Sequence, residues 1–216
     1  MSSNTVRITE IFYSLQGESS TVGLPTTFVR LTGCPLRCGY CDTTYAFYGG
    51  ERQLIDDVVE QVIQLGAPWV TVTGGEPLAQ KPCLELLRVL CDRGFRVSLE
   101  TSGALSVDGV DPRVKIVMDL KTPGSGEVTR NLYDNLQLLK DEDEIKFVLC
   151  DRQDYDWARL KIDEYGLAAR RDKILFSPSH GSLRPTELAD WIVADKLAVR
   201  FQLQLHKLLW NDEPGR

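Results

Sequence analysis

The segment TTFVRLTGCPLRCGYCDTT, residues 26–44, joins a strand-like run to a loop that carries three cysteines. Residues 26–32 predict a β-strand. Cys34, Cys38 and Cys41 follow at the spacing C-x3-C-x2-C. In a protein of the cytosol, a tight group of cysteines indicates a metal or catalytic site before it indicates disulfides.

Three thiolates on one short loop favour a 4Fe–4S cluster in which one iron has no cysteine and stays open to a ligand. Gly33 and Gly39 suit the tight backbone of such a loop. A structural zinc ion needs four ligands, and the two histidines, His180 and His206, are distant in sequence. The spacing alone leaves two alternatives open: zinc completed by a distant histidine, and three unligated thiols.

The rest of the composition is that of a globular protein. Its 216 residues fit one domain, residues 1–216, with enough chain to bury a core. The other cysteines, Cys83, Cys91 and Cys150, lie in apolar stretches and are predicted to pack in that core. The N-terminal sequence MSSNTVRITE lacks a signal pattern, so we expect a cytoplasmic protein.

Charge and hydropathy exclude two classes of partner. The net charge is -6 and there is no block of Lys and Arg, so we expect no nucleic-acid partner. No run approaches the roughly 18 apolar residues of a membrane helix, so we expect no membrane partner. A small anionic ligand held by one or two local cations remains compatible with this composition.

Strands alternate with helices along the chain. The predicted strands are residues 6–14, 26–32, 69–73, 96–101, 114–120, 144–150, 173–178 and 199–207. The predicted helices are residues 54–65, 83–94, 128–139, 155–166 and 185–195. This order predicts an α/β fold with a mostly parallel sheet, whose ligands gather at the carboxyl ends of the strands.

Several short motifs resemble those of one enzyme superfamily. The cysteine spacing with Tyr40 before the last cysteine, followed by TGGEP at residues 73–77, resembles the radical S-adenosylmethionine (SAM) superfamily. Further matching segments follow in order: EIFYSLQGES (10–19), ETSG (100–103), DLKTPGSGE (119–127), IKFVL (145–149), SPSHG (177–181) and QLHK (204–207). Together they make the chain similar to the 7-carboxy-7-deazaguanine synthase family.

The resemblance implies a partial, trimmed (β/α)6-type radical SAM barrel with the cluster loop at residues 33–44. It implies a 4Fe–4S cluster on the three loop cysteines and a Mg²⁺ ligand at Thr43. The implied SAM-binding residues are Tyr40, Gly75, Glu76, Ser102, Lys121 and Gln204. The implied substrate-binding residues are Gln16, Glu18, Arg30, Thr73 and His206. Without the family, Glu18 and Arg30 would be interpreted as surface charges and Thr43 as part of a turn.

The implied activity is a carbon–nitrogen lyase reaction of 7-deazapurine (queuosine-type) biosynthesis. A 5′-deoxyadenosyl radical takes hydrogen from C6 of 6-carboxy-5,6,7,8-tetrahydropterin, and ring contraction with loss of ammonia gives 7-carboxy-7-deazaguanine. Mg²⁺ clamps the substrate carboxylate. The implied partners are a flavodoxin or ferredoxin-type reductant and a second subunit in a homodimer.

Two alternatives accompany this hypothesis. A glycyl-radical-enzyme activase shares the cysteine spacing and the compact size, but SLQGE and Arg30 argue against it. A zinc-binding module without catalytic activity is the alternative from another class. The C-terminal tail, residues 211–216, extends beyond His206, and the sequence leaves open whether Arg216 reaches the substrate.

Overall fold

The computed structural model describes residues 4–211, Glu213 and Gly215. Nine strands of this part of the chain pair into one sheet. In chain order they are β1 (Thr5–Leu15), β2 (Pro25–Leu31), β3 (Glu51–Leu54), β4 (Trp69–Gly74), β5 (Arg96–Thr101), β6 (Lys115–Asp119), β7 (Glu144–Leu149), β8 (Ile174–Pro178) and β9 (Arg200–Phe201).

The sheet is mostly parallel, as predicted. Its strand order is β3-β1-β2-β4-β5-β6-β7-β8-β9. Every pair from β2 to β9 is parallel, whereas β1 runs antiparallel to both of its neighbours, β2 and β3. The carboxyl ends of the parallel strands therefore meet along one edge, which is where the motifs quoted above are placed.

Five α-helices accompany the sheet: α1 (Ile55–Leu65), α2 (Cys83–Asp92), α3 (Arg152–Glu164), α4 (Pro185–Ala194) and α5 (Leu205–Trp210). Apolar faces of α1 and α2 pack on the sheet in one core cluster, and α3 and α4 pack on it in a second. Cys83 and Cys91 are buried in the first cluster, as predicted. None of the helices in the described part of the chain is long and apolar enough to cross a membrane.

The barrel is trimmed because two crossovers lack an α-helix. In the described chain, β5 leads to β6 through a loop, and β6 leads to β7 through three short 3-10 helices, Pro123–Ser125, Val128–Arg130 and Tyr133–Gln137. The fold prediction is therefore confirmed: an α/β sheet, mostly parallel, with fewer helices than a complete (β/α)6 barrel.

The predicted helix at residues 128–139 is wrong. Asn131, between the two 3-10 helices that replace it, pairs with the backbone of Lys121 in both directions: its Nδ2 donates to the carbonyl O and its Oδ1 accepts from N–H, each at 2.8 Å. Asn135 binds the backbone of Val107, Gly103 and Leu105 in the same way. Side chains that satisfy distant backbone groups compete with helical hydrogen bonding.

The predicted strand at residues 199–207 is also wrong. The strand spans only Arg200–Phe201, and residues 205–210 are helical. Gln202 exchanges two hydrogen bonds of 2.9 Å with the backbone of Ser19, and Leu205 N–H donates to Gly17 O at 3.0 Å. These contacts draw the C-terminal segment away from the sheet and onto the N-terminal loop.

Two smaller differences concern short elements. The four-residue strand β3 was not predicted, because its sequence, ERQL, has no apolar alternation. Helix α3 begins at Arg152, three residues before the predicted start. Asp151 accepts a hydrogen bond from Asp154 N–H at 2.9 Å and caps the first turn.

Candidate active site

A cavity of about 570 Å³ opens at the carboxyl ends of the strands. The cluster loop, the N-terminal loop after β1 and the C-terminal segment form its walls together with the ends of β2 and β4–β8. All the site residues named from the sequence line this cavity except Glu76. A volume of this size is typical of small-molecule sites.

The cluster loop packs against neighbouring segments through its backbone. Gly33 N–H donates to Ala46 O at 2.7 Å, and Gly39 N–H donates to Ser125 O at 3.0 Å. Gly33 has φ = +99°, which favours glycine, whereas Gly39 has open space around a hypothetical Cβ. The tight backbone expected at both glycines is therefore present at Gly33 alone.

The glycine motif at the end of β4 packs directly against the cysteine loop. A Cβ on Gly75 would collide with the backbone of Gly33 and with Cβ of Cys34. Glu76 N–H donates to Gly33 O at 2.8 Å, and Gly75 N–H donates to Leu31 O at 3.2 Å. The two motifs therefore form one unit, and a ligand of one lies beside the other.

The three loop cysteines are half-buried and unpaired by disulfides. Burial raises the pKa of the Cys38 thiol to about 11 and also raises the pKa of Cys34, although Lys121 acts in the opposite direction on both. Ligation by metal requires thiolates, so loading the loop at neutral pH releases protons. Among the described residues, no three His, Cys, Asp or Glu side chains converge as ligands of a single metal ion. A cubane cluster does not require such convergence, since each thiolate binds a different iron.

Unpaired polar atoms in the cavity wall mark a place for a polar ligand. Tyr40 Oη, Asp119 Oδ1 and Ser179 Oγ are buried without a hydrogen-bond partner in the described part of the chain. Lys121 Nζ lies 3.0 Å from Asp119 Oδ2 and 5.7 Å from the centre of the Tyr40 ring. Buried polar atoms are rarely left without partners, so these donors and acceptors fit a group such as SAM, which carries an amino acid and a ribose.

Glu76 lies behind the cavity wall. Its side chain is fully buried, and its carboxylate accepts hydrogen bonds from Thr101 Oγ1 at 2.9 Å, Ser102 N–H at 2.6 Å and Leu78 N–H at 3.0 Å. Ser102 Oγ donates to the same carboxylate at 2.5 Å. In this arrangement Glu76 fixes the position of Ser102, which does line the cavity.

The N-terminal loop contributes two polar residues to the cavity. Glu18 Oε2 lies 2.6 Å from Lys146 Nζ. Gln16 is 3 % exposed, and its Nε2 donates to Thr71 Oγ1 at 3.0 Å and to Glu100 at 3.3 Å, while its Oε1 accepts from Glu18 N–H at 3.1 Å. Gln16 thus holds the loop that presents Glu18 to the cavity.

Arg30 projects from β2 into the same cavity. Its Nε donates to Glu10 Oε1 at 2.6 Å, and Tyr45 Oη donates to the same oxygen at 2.8 Å. The terminal guanidinium nitrogens of Arg30 make no hydrogen bond to any residue that the structure describes. They are the groups that pair with a carboxylate in a bidentate arrangement.

Glu100 also lines the cavity. It accepts a hydrogen bond from Thr73 Oγ1 at 3.0 Å. Burial raises the pKa of Glu100, and the nearby charge of Glu18 raises it further, although Lys146 opposes both. For Lys146, burial acts to lower the pKa, but Glu18, Asp119 and Glu100 outweigh it and raise the pKa, so the ammonium stays charged.

The C-terminal segment closes the remaining wall. Gln204 Nε2 donates to Glu18 Oε1 at 2.8 Å and to Asp42 Oδ2 at 3.2 Å, and Lys207 Nζ lies 3.0 Å from the same Asp42 oxygen. Thr43 Oγ1 donates to Asp42 Oδ1 at 2.9 Å. Asp42 therefore links the residue after the last cysteine to α5.

His206 lies on α5, against the N-terminal loop, where a Cβ on Gly17 would meet its ring. Beyond the helix, Glu213 and Gly215 contribute to the cavity wall, so the tail returns to the pocket. Asp212, Pro214 and Arg216 lie outside the described residues.

Six charged residues of the cavity, among those that the structure describes, were not assigned a role from the sequence: Asp42, Glu100, Asp119, Lys146, Lys207 and Glu213. Four of them stand in matching segments, ETSG, DLKTPGSGE, IKFVL and QLHK, and Asp42 directly follows the last cysteine. The motifs that contain these four residues could be identified in the sequence, but a linear motif does not indicate which of its side chains faces the cavity.

Comparison with known proteins agrees with this geometry. Residues 28–121 match the model of the radical SAM superfamily. The 7-carboxy-7-deazaguanine synthase of Chlorobaculum tepidum is 47% identical over 211 residues, covering 96% of each chain. That of Koribacter versatilis is 41% identical, covering 96% of this chain and 98% of the relative. The crystal structure of QueE from Escherichia coli superimposes with a TM-score of 0.72 at 26% identity, covering 94% of this chain and 95% of that one.

The fold and the cysteine loop define a radical SAM enzyme, which implies a 4Fe–4S cluster and SAM as its cofactors. Within that superfamily the chain belongs to the 7-carboxy-7-deazaguanine synthase family. Membership does not favour the glycyl-radical-enzyme activase or the zinc-binding module.

Proposed function

We propose that this chain converts 6-carboxy-5,6,7,8-tetrahydropterin to 7-carboxy-7-deazaguanine with loss of ammonia, as a step of 7-deazapurine biosynthesis. The observation that carries the proposal is the convergence of two residue sets on one cavity. The loop cysteines line this cavity, and so do Glu18, Arg30 and His206. A cluster-bound cofactor and a small charged substrate would therefore occupy adjoining parts of the same space.

The residues of the chain mainly position the cofactors and the substrate, whereas the cofactors supply the reactive species. When bound, the reduced cluster and SAM supply a 5′-deoxyadenosyl radical. Cys34, Cys38 and Cys41 would hold the cluster, and the packing of Gly75 on Cys34 would bring the methionine end of SAM next to it. Tyr40 and Lys121 would border the rest of the cofactor, together with Ser102, whose position is set by Glu76.

The substrate side is preorganised by ion pairs. Arg30, held at Nε by Glu10, would bind the substrate carboxylate through its terminal nitrogens. Glu18 and His206 would border the aminopyrimidinone ring, and Thr73 would approach it from β4. Glu18 is held by Lys146 and Gln204, so it would not have to be ordered when substrate binds.

Thr43 is the proposed Mg²⁺ ligand. Its hydroxyl lies on the cavity wall, next to the Asp42 carboxylate and on the same loop as the cysteines. A hydroxyl together with substrate carboxylate and water oxygens is ordinary magnesium coordination. The ion would fix the orientation of the carboxylate relative to the hydrogen that is abstracted.

The proposal extends to the assembly and the cell. We propose a cytoplasmic homodimer that receives electrons from a flavodoxin or ferredoxin-type protein. Exposed apolar side chains near the edge strand β9, namely Phe201, Leu208 and Leu209, support a subunit contact there. Size-exclusion chromatography with light scattering distinguishes the dimer from the monomer.

The test is an anaerobic activity assay. The protein is purified without oxygen, reconstituted with iron and sulfide, and incubated with SAM, dithionite, Mg²⁺ and 6-carboxytetrahydropterin, and the product is measured by mass. We expect 7-carboxy-7-deazaguanine from the wild type and from Cys150→Ala, whose thiol is outside the cavity, but none from Cys38→Ala. Cleavage of SAM without this product would refute the substrate assignment, and zinc in place of iron would refute the cluster.

A further inference from the structure

Three arginines, Arg7, Arg37 and Arg52, lie beside the cluster loop and the segment that follows it, and we call them the basic rim. Arg7 and Arg52 are direct partners in the antiparallel ladder of β1 and β3, so their side chains leave the same face of the sheet. Both are exposed. Like charges directly opposite one another destabilise a strand pair, and here Arg7 is held in place by a hydrogen bond from its Nη1 to Gly49 O at 2.8 Å.

Arg37 is fixed although it is exposed. Its guanidinium donates to the carbonyl oxygens of Cys34 and Leu36 at 2.8 and 2.6 Å and to Tyr48 Oη at 3.0 Å. It also lies 4.2 Å from the centre of the Phe47 ring. A positive charge is thus held in one place against the backbone of a cluster ligand.

The guanidinium groups of the rim form no ion pair with the described residues. Among the residues that the structure describes, no carboxylate oxygen lies within 4.0 Å of the guanidinium groups of Arg7, Arg37 or Arg52. The nearby Glu127 is engaged with the backbone, because its carboxylate accepts a hydrogen bond from Arg37 N–H at 2.5 Å. In a chain of net charge -6, most arginines elsewhere are paired with acids, so this local excess of positive charge is distinctive.

Arg7 and Arg52 adjoin the cluster loop among residues that do not line the main cavity. Arg7 and Arg52 line a second cavity of about 330 Å³ together with Thr32, two residues before Cys34. Thr32 N–H donates to Arg7 O at 2.9 Å. With SAM and substrate filling the main cavity, these residues are where a protein could approach the cluster.

We propose that the basic rim is the docking surface for a small acidic electron-transfer protein of the flavodoxin type. The inference rests on the proposed function in one respect, that the loop holds a cluster which must be reduced. One electron leaves the reduced group of the partner and enters the cluster; no bond is made and no proton moves. Complementary charge raises the rate of encounter and fixes the orientation of the partner.

The experiment measures binding of a purified acidic flavodoxin to the reconstituted enzyme at low and at physiological salt. Arg52→Glu is the informative variant, since no hydrogen bond of its side chain is lost and the new carboxylate faces Arg7. We expect a Kd about tenfold higher at low salt, a smaller increase for Arg52→Gln, and differences that shrink with added salt. Arg96→Glu is the matched control, because Arg96 is exposed and unpaired with acids but lies at the amino end of β5.

Two further readouts separate docking from folding and from catalysis. Arg52→Glu creates an opposite-charge pair across β1 and β3, so its thermal unfolding temperature should not fall. The second readout is a ratio of two rates of 5′-deoxyadenosine formation, the rate with reduced flavodoxin over the rate with dithionite. We expect this ratio to fall in Arg52→Glu and to equal the wild-type ratio in Arg96→Glu. Equal affinities of wild type and Arg52→Glu, or equal weakening by Arg96→Glu, would overturn the proposal. Because binding and SAM cleavage need no pterin, these results stand even if the substrate assignment fails.

Discussion

Lys146 Nζ and Glu18 Oε2 lie 2.6 Å apart in the wall of the main cavity, although 128 residues separate them in the sequence. Their side chains are 14% and 13% exposed. The pair joins β7 to the loop after β1, and Gln204 extends the link to the C-terminal segment. One ion pair thus connects three distant parts of the chain around the proposed substrate position.

Removal of the cation should therefore be costly. Lys146→Met leaves Glu18 partly buried without its ammonium, whereas Asp119 keeps Lys121 at 3.0 Å, and we expect the free energy of unfolding to fall by about 3 kcal/mol. Urea denaturation followed by circular dichroism measures this. The double variant Glu18→Gln/Lys146→Met removes both charges and should recover most of the stability while product formation stays low. If the double variant were as unstable as the single one, an unpaired carboxylate would not be the cause.

We expect the buried carboxyl of Glu100 to make the stability of the protein decrease as the pH rises. Burial and the charge of Glu18 raise its pKa above the ordinary value of 4.5. As the pH rises, the Glu100 carboxyl therefore ionises in the unfolded chain before it ionises in the folded protein. Its contribution to the free energy of unfolding begins to fall at about pH 4.5, and the fall is complete above the raised pKa. The stability of wild type relative to Glu100→Gln should decrease from pH 4 to pH 8, as measured by urea denaturation at each pH.

Glu18 serves as a control for Glu100, because its pKa is shifted in the opposite direction. Burial acts to raise its pKa, but the charge of Lys146 and the hydrogen bonds from Lys146 and Gln204 outweigh burial and lower it. Glu18 therefore contributes stability above its unfolded pKa, and this is lost as the pH falls through the folded pKa. The stability of wild type relative to Glu18→Gln should increase as the pH rises to about 4.5 and stay level above it, where the Glu100 difference decreases. Slopes of the same sign would contradict both assignments.

The contact between Gly75 and the cluster loop predicts a coupling between cofactor sites. In Gly75→Ala the new methyl group collides with the backbone of Gly33 and with Cys34, so the loop must move. We expect a lower iron content after reconstitution and weaker SAM binding, measured by iron analysis and isothermal titration. Gly39→Ala, in the same loop but with open space at its Cβ, should retain a full cluster.

Thr43 should affect the Mg²⁺ response alone. In Thr43→Val the hydroxyl is lost, and we expect product formation at saturating Mg²⁺ to fall about 10- to 100-fold, because a misplaced carboxylate loses the aligned geometry. Iron content should be unchanged. Thr44→Val, at the adjacent exposed position, should keep both the rate and its Mg²⁺ dependence. Undiminished stimulation by Mg²⁺ in Thr43→Val would assign the ion to other ligands.

The strands and helices with strong local patterns were predictable. Strands β4 and β5 are short apolar runs bounded by glycines and turns, and α1 has apolar residues at helical spacing, so local sequence is sufficient for them. The segment 128–139 has a helical pattern as well, but Asn131 and Asn135 bind the backbone of other loops. Contacts between distant segments decided that region.

The sequence by itself determined the cysteine loop, the glycine motif and the α/β order, because each depends on residues close together in the chain. Only the tertiary structure decided which charged residues face the cavity. Lys146, Glu100 and Asp42 belong to different elements, and hydrogen bonds join them to residues 128, 27 and 162 positions away in sequence. The order of strands in the sheet and the return of the C-terminal segment bring these residues together. A linear motif carries no information about either feature. The opposition of Arg7 and Arg52 likewise depends on the register of β1 and β3, which the polar sequence of β3 did not reveal.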